Sequence, residues 1–230
     1  MILNKSNLQE TLFSLYLRLN GYFVTGFIVH APEGNTTEMD ALAIRFPFHK
    51  EPEREISTCP HISVSNGKID FLICEVKGGN RGVNFNKAFR LNAYAVKCVL
   101  RRFGAFSDSD IEKLIPQILE KIKPEVINKS KNIPVVDIEE NKSQIRCVLV
   151  SLSNERKNAN NKPYIFSDDI MEYLWACFHP EVSRLTCDVK YHCSLWGVQY
   201  QRIVEYFKDE ARGSAGSIDD LCKYLDISDA

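Results

Sequence analysis

Apolar residues recur at helical spacing near the start of the chain, with Leu8, Leu12, Leu15 and Leu19 on one stripe. Ser6 followed by Gln9 has the form of a capping box, and Gly21 of a C-terminal stop, so the pattern predicts a helix over residues 7 to 20. The period then changes. The run 22–29 (YFVTGFIV) is rich in β-branched and aromatic residues and predicts a strand; 32–36 predicts a turn, and 38–46 a second strand. Pro47, Pro52 and Pro60 lie among charges and suit an excursion over 47–60. Residues 61–65, Asn66-Gly67 and 68–77 have the pattern of a hairpin, and its second arm, IDFLICEV, is apolar on both faces, as a covered central strand must be.

Helical patterns follow over 86–103, stopped by Gly104, and over 111–123, where Pro116 marks a kink or a start and Pro124 the end. Residues 128–144 are polar and read as a connection. IRCVLVSL (145–152) predicts a buried strand and 163–166 a shorter one, with Ser167 capping a helix over 168–178. Beyond Pro180 the pattern predicts helices over 199–212 and 217–226, separated by a Gly-Ser-Ala-Gly break. The expectation is an α/β fold: a core over 1–179, with the excursion inserted at about 47–68, and a mainly helical extension over 180–230.

With 230 residues, 44% hydrophobic and 26% charged, the chain can bury a substantial core and is no candidate for disorder. No apolar run is long enough to span a bilayer and the N-terminus does not read as a signal peptide, which predicts a cytoplasmic protein without a membrane partner. The eight cysteines lie largely in apolar runs and read as reduced core thiols. His179, Cys187, His192 and Cys193 lack the spacing of a zinc site. The net charge of −1 excludes a globally basic nucleic-acid binder, but the charge is uneven. From Gly78 to Ser107 stand Arg81, Lys87, Arg90, Lys97, Arg101 and Arg102 and no acid.

Candidate chemistry lies at the ends of two neighbouring strands. Glu38 and Asp40 open the second, and Glu75-Val76-Lys77 closes the third. Side chains alternate along a strand, so Glu38 shares a face with Asp40 and Glu75 with Lys77, with Leu42, Ile44 and Phe46 in line with Asp40. Carboxylates in such apolar company need partners. A hard cation such as Mg²⁺ accepts one or two carboxylates and keeps waters for substrate, and a neighbouring lysine can orient the attacking water. The acid-x-Lys tripeptide recurs at Glu140, Glu155 and Asp188, but only Glu75 follows a buried strand with a carboxylate pair on the strand before it. A structural ion-pair cluster is the alternative.

In the next predicted helix Lys87, Arg90, Tyr94, Lys97 and Arg101 fall on one stripe, opposite Phe89, Val96, Leu100 and Phe103. That stripe suits a phosphate backbone, with Asn80 and Arg81 in the preceding turn as further contacts; a solvated helix face is the alternative.

An acid on the second strand, Glu-x-Lys ending the third and a helix next: this order, over residues 7 to 179, resembles the PD-(D/E)xK nuclease superfamily. The resemblance implies a restriction endonuclease-like αβββαβ core, with a central mixed sheet flanked by helices. It also implies metal binding by Asp40, Glu75 and the Val76 carbonyl, and a catalytic Lys77. Glu10 matches a glutamate that some members carry on the first helix, and Glu38 would be a further ligand or a group bonded to the ligands. The implied cofactor is Mg²⁺, with Mn²⁺ able to substitute; the implied partner is DNA in preference to RNA, and a double-strand cutter would be a homodimer. Met39 replaces the family's frequent proline, and the excursion lengthens the spacing between Asp40 and Glu75. RNA cleavage on the same fold, and a non-catalytic nucleic-acid-binding or assembly module, are the competing readings.

Overall fold

Strand β3, Ile69–Lys77, is the axis on which the rest is built. It pairs antiparallel with β2 (Thr36–Arg45) and parallel with β5 (Ser143–Ser151), so neither edge is free. The computed structural model describes residues 4–30, 36–49, 58–64, 67–78, 83–153, 155–156, 162–181 and 192–227. Among them the sheet has six strands in the order β1-β2-β3-β5-β4, with β1 at Phe23–His30 and β4 at Val135–Ile138. Strand β6, Tyr164–Phe166, lies parallel along the second half of β5, whose first half is covered by antiparallel β4.

Apolar faces on both sides of β3 and β5 require two covering layers, and the residues divide accordingly. Leu72, Cys74, Val148 and Val150 pack beneath α1 (Lys5–Leu19) and α6 (Ser167–Phe178). Phe71, Ile73, Ile145, Cys147 and Leu149 pack on the other side. There they meet α2 (Lys87–Arg90), α3 (Ala93–Phe103), α4 (Asp108–Lys121) and α5 (Pro124–Lys129). The protein is therefore α/β, with a mixed sheet between helical layers. Helices α7 (Val198–Lys208) and α8 (Ile218–Tyr224) add Ile203, Val204, Phe207 and Leu221 to the same core as Leu12 and Leu174, so the C-terminal region shares that core. The seven described cysteines are free thiols, five of them buried. No helix among the described residues is long and apolar enough to cross a membrane.

Several local expectations are corrected. Asn4, not Ser6, caps α1 by accepting the Asn7 N–H at 2.8 Å, and Gln9 is buried rather than turned back to the cap. Residues Pro60–Ile62 form a 3₁₀ turn where a strand was expected, and among the described residues β3 pairs only with distant segments; Ser65 and Asn66 of the expected hairpin lie outside them. The helix expected over 86–103 breaks at Leu91, because the Asn92 side chain accepts the N–H groups of Tyr94 and Ala95 and starts a new helix. Helix α4 begins three residues early, at a Ser107 cap, and carries Pro116 inside it. Strand β4 lies within the supposed connection 128–144. The residue before α6 is Phe166, whose N–H is bonded by Asp169 at 2.9 Å, so Ser167 belongs to the helix. Helix α7 stops at Lys208, and Glu210–Arg212 makes a separate 3₁₀ turn.

The strand pairing contains one irregularity. Thr25 faces Leu42 and Phe27 faces Met39, so Gly26 alone stands opposite both Asp40 and Ala41. This is a β-bulge on β2, which breaks the alternation and increases the local twist. Met39 and Leu42 share one core while Ala41 lies in the other. The regular face expected to align Asp40 with Leu42, Ile44 and Phe46 thus ends at Asp40.

Candidate active site

Four segments meet at the C-terminal end of β3: the bulge of β2, the second turn of α1, β3 itself and the lead-in to α2. The β2–β3 ladder ends at Ala41 opposite Cys74. One step further, the Asp40 carboxylate takes over, with Oδ2 accepting the Val76 N–H at 2.5 Å. Asp40 is thereby fixed beside Glu75, and its carboxyl is held above the usual range by burial, opposed by the Val76 bond and by Lys77.

Glu75 is fully buried. Its Oε1 receives the Lys77 ammonium, and the Asn86 backbone N–H also points to the carboxylate, but Oε2 has no hydrogen-bond partner. An unpaired buried carboxylate oxygen is costly. Burial accordingly raises the Glu75 carboxyl to about 7, against the lowering effect of Lys77 and with Asp40 adding to the rise. Lys77 donates also to Asn86 Oδ1 at 3.2 Å, so Asn86 fixes both members of the pair.

Glu10 projects from α1 toward the same place. Burial raises its carboxyl, the charges of Asp40 and Glu38 add to the effect, and Ser6 and Lys77 oppose it. Glu38 is exposed at the rim. The structure thus brings Glu10, Asp40, Glu75 and Lys77 into one electrostatic neighbourhood with Glu38 at its edge. Three carboxyl groups with raised proton affinity, one of them with an unpaired oxygen, form a site deficient in positive charge.

Among the described residues, no three His, Cys, Asp or Glu side chains stand close enough to enclose a metal by themselves. Mg²⁺ does not require such a cage, since one or two carboxylates and retained waters suffice. The oxygen-only donors, the open Glu75 oxygen and the Val76 carbonyl beside it fit that kind of ion. Comparison with family models, with curated proteins and with solved structures finds no match.

The basic stripe is divided by the structure. Lys87 and Arg90 lie on α2, while Tyr94, Lys97 and Arg101 lie beyond the break on α3. Lys97 pairs with Glu112, and Arg101 contacts Asp108 through Nη2 at 2.8 Å and Nε at 3.1 Å. These acids come from α4, just beyond the acid-free stretch of sequence, and only the fold brings them back across α3. Lys87 and Arg90 have no ion pair among the described residues, while Asn80 and Arg81 lie outside them. Of the residues that lack zinc-site spacing in the sequence, His179 stacks on Trp175 and His192 accepts the Ser194 N–H, and Cys187 lies outside the described residues.

The raised Glu75 carboxyl has a consequence for stability. The folded state holds this proton up to about pH 7, whereas an ordinary glutamate releases it near 4.5. The stabilisation is complete below the lower value and is lost as pH rises through the upper one; at 1.4 kcal/mol per unit it amounts to about 3 kcal/mol. In urea titrations with chelator, the protein should weaken between these two values, and Glu75→Gln should flatten that slope and be the more stable protein at high pH. An unchanged slope in the variant would assign the effect to other groups.

Proposed function

We propose that this protein is a divalent-metal-dependent nuclease of the PD-(D/E)xK type, with a restriction endonuclease-like core, hydrolysing phosphodiester bonds in DNA in preference to RNA. The observation that carries this reading is Glu75: a carboxylate on the central strand, fully buried, with one oxygen bound to Lys77 and the other unpaired. A purely structural ion pair gains nothing from an orphaned oxygen beside two further acids.

Asp40, Glu75 and the Val76 carbonyl would hold Mg²⁺ or Mn²⁺, with Glu38 and Glu10 at its margin. The ion, when bound, supplies Lewis acidity toward the phosphate and a nucleophile from water. The Lys77 ammonium, positioned by Asn86, is a donor for the attacking water or for a phosphate oxygen. Asp40 is kept in place by its bond to Val76, so the acids are preorganised on rigid strands rather than on loops. Lys87 and Arg90 on α2 are the cations available to the phosphate backbone. Lys97 and Arg101 can contribute only by exchanging their exposed carboxylate partners for phosphates, which surface ion pairs permit at small cost.

The test is cleavage of supercoiled plasmid with MgCl₂, alongside duplex DNA, single-stranded DNA and single-stranded RNA, with Mn²⁺ calorimetry on the same preparation. Cleavage should require the metal, and Asp40→Ala should abolish both cleavage and Mn²⁺ binding. Cleavage surviving chelation, or matched by Asp40→Ala, would overturn the proposal, and a preference for RNA would reassign the substrate.

A further inference from the structure

Gln9 lies on the buried face of α1, four residues before Phe13 and immediately before Glu10, and is 4% exposed. Its Nε2 has no hydrogen-bond partner, an arrangement that costs stability and serves no packing purpose. The carboxamide lies against Gly78, the residue directly after Lys77. A methyl group built on Gly78 would stand 1.9 Å from Gln9 Oε1 and 2.6 Å from Nε2. Gly78 does not adopt the positive φ that requires glycine, so its missing side chain matters for the room it leaves to Gln9. A buried, unpaired, neutral donor is thus held by a glycine at the end of the strand that carries Glu75 and Lys77.

We infer that Gln9 is a substrate-binding residue, whose Nε2 donates to an oxygen of the phosphodiester bound beside Lys77, and that Gly78 is the positioning residue that admits it. This rests on the nuclease reading. Acids surround this end of the sheet, and a neutral amide offers a phosphate a hydrogen bond without drawing the carboxylates away from a metal. The contact exists before and during reaction, so its loss raises KM more than it lowers kcat.

The experiment measures steady-state cleavage of a fluorescent duplex oligonucleotide with MgCl₂ by wild type, Gln9→Ala, Gly78→Ala and the double variant. Each is also given a thermal melt and an Mn²⁺ titration by calorimetry. Gln9→Ala should raise KM about tenfold, the worth of one hydrogen bond to a charged group, with kcat and Mn²⁺ affinity near wild type. Gly78→Ala should raise KM similarly by displacing the amide, and should add nothing in the Gln9→Ala background. Gln9→Leu should melt no lower than wild type, since it removes an unpaired buried donor. An unchanged KM in Gln9→Ala, additive effects in the double variant, or a parallel loss of Mn²⁺ affinity would each overturn the assignment while wild-type cleavage stands. Absence of wild-type cleavage would instead remove the nuclease reading, and this inference with it.

Discussion

Replacing Lys77 with alanine is expected to lower metal-dependent cleavage by on the order of 10³-fold with the fold intact, the range seen when a positioned proton donor or electrostatic contact is removed. The side chain is 30% exposed, so its loss opens no cavity in the core. Its effect on Glu75 is more specific. Lys77 lowers the Glu75 carboxyl both by its hydrogen bond and by its charge, and these are the principal influences opposing burial. Without them Glu75 retains its proton to higher pH, so the variant should bind Mn²⁺ more weakly near neutrality and regain part of that binding as pH rises. Single-turnover cleavage and Mn²⁺ calorimetry over about pH 6 to pH 9 separate the two losses, because the binding defect recovers with pH and the missing donor does not. A Lys77→Ala protein cutting within about threefold of wild type would remove Lys77 from the chemistry.

The parts of this site that were legible in the sequence are those set by local periodicity. The continuous apolar runs of β3 and β5 and the stripe of α1 reflect burial, of both faces of the strands and of one face of the helix, and that burial is what the structure displays. Glu75 stood out because it ended such a run. The bulge at Asp40 is a property of the β1–β2 register, and its only local sign was Gly26 inside an otherwise β-branched strand. In the sequence Gln9 has the place of a capping residue because Ser6 precedes it, although its spacing to Leu12, Phe13 and Tyr16 puts a polar group on the apolar face of α1. Asn86 and Asn92 resemble any helix-flanking asparagine until the distant groups that they bond are known. The pairing of Lys97 and Arg101 with Glu112 and Asp108 depends on α4 folding back along α3, which no window confined to the acid-free stretch contains.

The second large effect lies at the opposite end of β3, where Asp70 is expected to be worth about 3 to 5 kcal/mol when replaced by alanine. Asp70 is fully buried and receives Arg146 Nε at 3.0 Å, Gln144 Nε2 at 2.9 Å and the Tyr22 hydroxyl at 2.5 Å. The same guanidinium donates through Nη2 to the Ile62 carbonyl at 3.0 Å and the Tyr22 hydroxyl at 2.8 Å. The cluster therefore joins β3, β5, the start of β1 and the turn at Pro60–Ile62, and it holds the Tyr22 phenol far above its ordinary range through burial and the Asp70 charge. Removing Asp70 alone leaves a buried guanidinium without its counter-charge, and that orphan, rather than the lost attraction, is the larger cost. Asp70→Ala/Arg146→Met, which removes both charges, should accordingly recover part of the loss of Asp70→Ala. Urea denaturation of the two variants decides it: a loss below about 1 kcal/mol for Asp70→Ala, or a double variant no more stable than Asp70→Ala, would show that the cluster does not depend on mutual neutralisation. Because β3 carries Asp70 at one end and Glu75 and Lys77 at the other, the fully satisfied cluster anchors the strand on which Glu75, paired through one oxygen only, is held.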